Sequence, residues 1–380
     1  MPLIEEIKYK LSRNLSNVPG WRTNRKIVVI ESDDWGSVRM PSLAAYNILA
    51  SKNIDVAGGD FKRYNLNDTL ATKEDLAALF EVLIKYKDIN GNPAAFTPIS
   101  IVANPNFEKI KASGFKEYYY EPFTTTLKKY YGDDSAYLLW KEGIQKNIFK
   151  PQFHGREHLN VGEWMRALQS GDTEVLSAFD QNLWGFNNKK ILDSHIVFLA
   201  AFDLFYPDDL VIQASIIKEG LALFEELFGY KATFFVPPNG PFNNKLAKAA
   251  AEGGIKYISA SKIQIEPQGF GKNRKVLHWL GKKNEYDQLS ITRNCFFEPS
   301  KEGKDWVDSC LKDIAIAFLW HKPAIISSHR VNYIGALCPE NRRKGLLELG
   351  QLLQSIIKNW PDVEFCTSDK LGDIISKSGK

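Results

Sequence analysis

Histidine and cysteine are scarce in this chain, six and four among 380 residues. The cysteines (Cys295, Cys310, Cys338, Cys366) are widely spaced, with no C-x-x-C. In a chain this large they read as reduced, mostly buried thiols of a cytosolic protein. No apolar run approaches the ~18 residues that a membrane span needs; the longest candidates lie around His195–Phe202 and Ile314–Trp320. The opening MPLIEEIKYKLSRNL carries Glu5 and Glu6 and lacks an apolar core, which excludes a secretory signal. There is no G-x-S-x-G, and GFGKNRK at Gly269–Lys275 lacks the Walker spacing, so serine-hydrolase and nucleotide-dependent chemistry are disfavoured. The net charge is only +4, with Lys and Arg scattered and no basic tract interleaved with aromatics. That balance gives no sign of a nucleic-acid partner.

What is present is ordinary globular composition, 44% hydrophobic and 25% charged. Leu3, Ile4, Ile7 and Leu11 fit an amphipathic helix, so residues 1–24 form a helical extension before a single domain at 25–380. Strand-like runs occur at Lys26–Glu31, Ala94–Val102, Ala232–Val236, Tyr257–Ser259, Val276–Trp279, Leu289–Asn294, Ala324–Ser328 and Val363–Cys366. Helical patterns intervene at Lys73–Tyr86, Val161–Gln169, Ile216–Phe228, Asn244–Glu252, Trp306–Leu319 and Arg342–Asn359. Strands separated by helices predict an α/β fold with parallel strands and right-handed crossovers. The Tyr- and Lys-rich segment 115–149 reads as a helical insertion near the mouth of a site. Asp180–Lys190 has a loop composition and reads as a second rim element. Trp140 and Trp184 in these segments are either sugar-stacking platforms or plain core.

Three short stretches carry candidate chemistry. The first is Lys26–Ser37, KIVVIESDDWGS, an apolar run ending in Asp33 and Asp34. Ligands of parallel α/β sheets sit outside the carboxyl ends of strands, where this pair falls. Alternation along extended backbone would point the two carboxylates apart, one to hold a metal and one to move a proton. The alternative is a turn cap plus a solvated carboxylate. The second is QFHGREHLN at Gln152–Asn160, with His154 and His158 four apart. On a helical turn both imidazoles would share one face and reach one divalent ion. Two histidines and one carboxylate leave positions open on the ion, as catalytic sites require. The third is PAIISSHR at Pro323–Arg330, where a strand-end His329 suits a general acid, or is simply hydrogen-bonded there.

In this order these residues resemble the polysaccharide deacetylase (NodB-type) family, the fourth family of carbohydrate esterases. Its strand-end T-F-D-D-G motif is matched by ESDDWG at Glu31–Gly36, its H-[ST]-x-x-H by His154 and His158, and its final L-x-H by Ile325–His329. The resemblance implies a distorted, incompletely closed (β/α) barrel. It implies Asp33 as general base, Asp34, His154 and His158 as metal ligands, and His329 as general acid. The ion is zinc by default, although Co, Mn, Ni and Fe suit the same ligands.

The departures from that pattern are specific. Val236 and Asn239, in VPPNG, stand where the family's R-x-P-Y has its arginine and tyrosine, and Trp35 is inserted before the glycine of the first motif. The D-x-x-D-W motif has no clear match; the nearest stretch is TRNCFFE at Thr292–Glu298. Arg293 is therefore a candidate replacement for the missing arginine, in competition with Arg156 and Arg330. The implied activity is hydrolysis of an acetamide or acetate ester on a carbohydrate by a cytoplasmic enzyme, acting on an acetylated sugar or short glycan. Alternatives are a hydrolase of the same architecture cutting another C–N bond or ester, or a degenerate binder of metal and glycan without turnover.

Overall fold

The apolar run at Ile27–Ile30 builds strand β1 (Lys26–Trp35), buried at every position after Lys26. Such a strand needs partners on both edges and cover on both faces. In the computed structural model, which describes residues 11–188 and 196–378, it has them. Its other main-sheet companions, in chain order, are β2 (Phe96–Ile101), β3 (Gln152–Gly155), β4 (Phe234–Phe235), β5 (Tyr257–Ser259), β6 (Leu289–Ile291), β7 (Cys295–Phe296), β8 (Ala324–His329) and β9 (Val363–Phe365). One edge of β1 pairs with β8; its other pairings are with β9 at its start and β2 towards its end. All pairings in this sheet are parallel.

The strand order is β6-β5-β4-β3-β2-β1-β8-β7, with β9 branching from β1. That order forces curvature. In a flat sheet β6 and β7 would lie on the order of 34 Å apart at ~4.8 Å per strand. They are separated in sequence only by Thr292, Arg293 and Asn294, a link that reaches roughly 14 Å at most. The sheet therefore curls until its two edges face each other, with no ladder between β6 and β7. This is the incompletely closed barrel, and residues 292–294 are its seam. Asn294 pins the seam by accepting from the Ile325 backbone N–H at 2.8 Å and donating to the Pro323 carbonyl at 3.0 Å.

Helices cover the outside. Those at Lys73–Lys85, Val161–Gln169 and Trp306–Leu319 start at side-chain caps, Thr72, Asn160 and Asp305. The first has a reciprocal capping box with Asp75. Two longer helices, Asp209–Phe228 and Pro339–Asn359, begin upstream of the apolar periodicity that marks them. The expected strand at Val276–Trp279 belongs instead to an antiparallel hairpin, Ile263–Gly269 with Lys272–Leu277, outside the barrel. The expected strand at Leu289–Asn294 stops at Ile291, because the chain there crosses the seam.

Residues 11–16 are helical, while the rest of the proposed N-terminal pattern lies outside the described residues. Segment 115–149 holds two helices, Phe123–Tyr131 and Ser135–Gln145. Its Trp140 packs edge-on against Trp35 and Phe149 and stacks on Phe228, with centroids 6.1, 5.2 and 5.6 Å away. Trp140 and Trp184 are both buried. They are core residues, and the sugar-platform alternative is set aside.

Candidate metal centre and active site

The carboxyl ends of β1, β3 and β8 open into one cavity of about 1070 Å³, and Asp33, Asp34, His154, His158, Arg293 and His329 all line it. Two local irregularities put them there. In β1 the register against β2 slips between Ser32 and Trp35, and Asp34 takes a positive φ of 73°. A bulge, rather than simple strand alternation, thus turns Asp34 away from Asp33. The histidines also depart from expectation. His154 is on strand β3 and His158 lies in the bend after it, not on a helical turn. Gly155, at φ 137°, makes the reversal between them, where a side chain would be strained. Asn160 then caps the next helix, fixing the far end of the loop.

Asp34 Oδ1 lies 3.5 Å from His154 Nε2 and 3.2 Å from His158 Nε2. His154 Nδ1 is 2.7 Å from the Val236 carbonyl. A carbonyl can only accept, so Nδ1 carries a proton, and in the neutral, ligating form of the ring Nε2 presents a lone pair. That lone pair is buried without a hydrogen-bond partner, aimed at a carboxylate. Two acceptors facing each other in the interior are repulsive unless a cation lies between them. Burial also lowers the pKa of His158, against the pull of Asp34, and so favours the neutral, ligating imidazole. The donor set Asp34, His154 and His158 fits a divalent ion.

Beside it stands a carboxylate–guanidinium assembly. Arg293, from the seam, donates from both terminal nitrogens to Asp33, each at 2.6 Å, and from Nε to Glu31 at 2.5 Å. Ser327 and Ser368 complete it, the first accepting from Arg293 at 3.0 Å and the second donating to Glu31 at 2.8 Å. Burial alone would raise the pKa of Asp33, but Arg293 outweighs it and holds that carboxyl below its ordinary value. For Glu31 burial wins and the shift is upward. One guanidinium between two carboxylates thus keeps Asp33 as the anion.

His329 Nε2 is 3.9 Å from Asp33 Oδ2, and its Nδ1 lies 2.5 Å from Glu298 Oε1. Burial opposes protonation of His329, yet the Glu298 carboxylate prevails and raises its pKa to about 9. Glu298 is itself held by Asn332 and Arg63, each donating at 2.9 Å. The Tyr64 ring meets the imidazole edge-on, centroids 5.8 Å apart.

The remaining sequence candidates divide. Asn239 lines the cavity in a left-handed conformation, φ 56°. Arg156 does not reach it; it pairs with Glu157 at 2.7 Å and with Glu219, and its guanidinium lies 4.1 Å from the Tyr120 ring centroid. Arg330 is buried against Asp68 at 2.9 Å and the Ser37 carbonyl at 2.7 Å. Trp35 is core, its Nε1 donating to Ser32 at 2.9 Å. Segment 115–149 contributes none of the cavity's lining residues, whereas Asn187 in the second loop does. Glu31, Arg63, Tyr64, Glu298 and Asn332 went unrecognised in the sequence. Only Glu31 and Glu298 sat inside stretches already singled out, and nothing marked them as partners of Arg293 and His329.

No family model matches this chain, and no curated protein does. Among solved structures it is similar to a Mycobacterium smegmatis protein assigned as a polysaccharide deacetylase, at 10% identity over 95% of this chain and 94% of that one, with a TM-score of 0.47. A Pseudomonas aeruginosa PAO1 protein with the same assignment shares 10% identity over 92% and 91% of the two chains, TM-score 0.44. A CE4 family pseudoenzyme from Bacillus anthracis shares 11% over 94% and 69%, TM-score 0.38.

Proposed function

We propose that the protein is a metal-dependent hydrolase that removes acetyl groups from an N- or O-acetylated carbohydrate. The observation that carries this reading is the unpartnered lone pair of His154 opposite Asp34, next to an ionised Asp33 and a protonated His329. Asp34, His154 and His158 hold the divalent ion, zinc by default. When bound, the ion would polarise the acyl oxygen and lower the pKa of a water.

The chain's own groups supply the proton transfers. Asp33, kept anionic by Arg293, accepts the proton of the attacking water. Its low basicity matches a nucleophile whose proton is already weakened. His329 faces the same space and gives its Nε2 proton to the departing nitrogen or oxygen. Glu298 serves that step by keeping His329 charged above neutral pH. Neither Asp33 nor His329 is needed merely to hold a metal, which favours turnover over a binding-only protein.

We place the protein in the cytoplasm, acting on a soluble or lipid-linked glycan precursor. All four cysteines are unpaired, as suits a reducing compartment, and among the described residues no helix is long and apolar enough to cross a membrane. The test is metal content and acetate release of the purified chain across acetylated mono- and oligosaccharides. Asp33→Asn should keep the metal and lose turnover; wild-type rates in that variant would remove the base assignment.

A further inference from the structure

Four residues beyond Trp35, where the bulge of the DD motif ends, lies Arg39, in the stretch SVRMPS. It lines the cavity and is only 9% exposed. Its guanidinium lies 4.5 Å from the centroid of the Tyr64 ring, on the cavity side that also holds His329 and His158. Its buried Nε has no hydrogen-bond partner, and among the described residues Arg39 makes no ion pair. The carboxylate of Asp68 feels its charge, but Arg330 holds Oδ1 at 2.9 Å and Arg39 makes no hydrogen bond to the other oxygen.

A permanently charged side chain buried without a direct ion pair is expensive, and the rings of Tyr64 and Phe61, with centroids 4.5 and 5.9 Å from its guanidinium, compensate it only in part. Every other buried arginine at this end of the barrel is spoken for. Arg293 grips Asp33 and Glu31, Arg63 grips Glu298, and Arg330 grips Asp68. Arg39 stands apart with its fork of donors unfilled and open to the cavity. Two further cations, Lys262 and Lys304, line the same cavity. Lys262 donates to the Ser16 hydroxyl at 3.0 Å and Lys304 lies 4.3 Å from the Trp306 ring centroid, and neither pairs with a carboxylate among the described residues. Burial together with nearby Arg13 pushes the Lys262 ammonium down to about 8, against the weaker pull of the buried Asp313 carboxylate.

We propose that Arg39 is the anchor for an anionic substituent, a carboxylate or a phosphate, carried by the acetylated sugar that occupies this cavity. A planar guanidinium fork suits both oxyanions in a bidentate grip. The proposal rests on the hydrolase reading for the identity of the sugar, but it concerns binding and is tested by binding.

The probes are N-acetylglucosamine, its 1-phosphate and N-acetylglucosaminuronic acid, titrated calorimetrically into full-length, metal-loaded Asp33→Asn protein. At least one anionic probe should bind about tenfold or more tightly than the neutral sugar, the scale of a charge-assisted bidentate pair. Which probe gains separates carboxylate from phosphate. Arg39→Gln in the same background should erase that difference while neutral-sugar affinity stays within about twofold. Arg39→Lys, which keeps a point charge but not the fork, should retain part of it and covers the case in which the glutamine variant does not fold.

Equal affinities, no binding of any probe, or an anionic preference that survives in Arg39→Gln overturns the proposal; in the last case the anion rests on the metal or on Lys262. If the wild-type chain releases no acetate although the Arg39-dependent preference is present, the hydrolase reading fails and the anchor stands. If neutral and anionic acetamides are hydrolysed with equal efficiency and Arg39→Gln slows both alike, Arg39 serves the acyl oxygen and the anchor fails.

Discussion

Arg293 closes on Asp33 from across the barrel seam, with each terminal guanidinium nitrogen 2.6 Å from a different carboxylate oxygen. The arginine that the resemblance would place at Val236 is absent, and the Val236 carbonyl instead orients His154. Two tasks, holding Asp33 and orienting His154, are thus split between separate strand ends. The carboxylate is served from the link between β6 and β7, which passes beside β1 only because the sheet curls.

In the proposed mechanism that pairing would set the acid side of the pH–rate profile. Asp33 must be ionised to accept a proton, and Arg293 holds its pKa below the ordinary value against burial. Activity should therefore persist to low pH and fall only as pH drops through that depressed pKa. Arg293→Gln leaves burial unopposed, so the acid limb of kcat/KM should move to higher pH. Removing one partner of a buried pair should also cost about 3–5 kcal/mol of stability, read by denaturant unfolding. An unmoved acid limb in a folded Arg293→Gln protein would separate Asp33 from catalysis.

The metal site makes a prediction that needs no substrate. Single alanine substitutions at Asp34, His154 or His158 should weaken metal binding by roughly one to two orders of magnitude or more, since even outer-shell losses reach that size. Elemental analysis after dialysis against a chelator measures it. Full occupancy in a His154→Ala/His158→Ala double variant would rule the site out.

Much of this arrangement is legible in the sequence, for identifiable reasons. Runs such as those at Ile27–Ile30 and Ala324–Ile326 are apolar because their strands are buried on both faces, and their polar ends mark the open end of the barrel. Strand β3 escaped notice because its only strong apolar residue is Phe153, and its partners Gln152 and Gly155 do not resemble a strand interior. The proper placement of His154 was hidden with it. The hairpin at 263–277 escaped for the opposite reason. It lies outside the barrel, and its first strand alternates the reverse way, with Gln264 and Glu266 buried and Ile263 and Ile265 exposed. Long-range pairs were the least legible of all. Glu298 and Arg63 are 235 positions apart, and no local spacing connects them.

In the same proposed mechanism His329 would set the alkaline side. Its pKa is raised to about 9, with Glu298 outweighing burial. With the protonated form as the proposed acid, kcat/KM should hold through neutral pH and fall as pH rises through about 9. The sign for stability is the same: with the folded pKa above the unfolded one, this ion pair contributes fully below ~6.5 and is lost through the folded value. Glu298→Gln removes the carboxylate that raises it, so the alkaline limb should shift to lower pH while the metal content stays unchanged. His329→Gln should lose the limb together with most of the rate. A limb at the same pH in Glu298→Gln would show that another group titrates there.

The support of His329 extends to a helix that never enters the cavity. Gly345, in the helix Pro339–Asn359, packs so closely on Asn332 that a Cβ built there would lie 1.6 Å from the Asn332 carbonyl oxygen. Asn332 in turn donates to Glu298 at 2.9 Å and to the His329 carbonyl at 3.0 Å. An added methyl group meets backbone there, which cannot swing aside as a flexible side chain would. Gly345→Ala should therefore push the helix or the Asn332 turn outward. Overpacking of this kind costs about 1–3 kcal/mol, visible as a lower denaturant midpoint. If the variant relaxes by moving Asn332, Glu298 loses a donor and the alkaline limb should shift in the Gly345→Ala protein as well. A variant with wild-type stability and an unaltered pH profile would mean that the close contact is absent in solution.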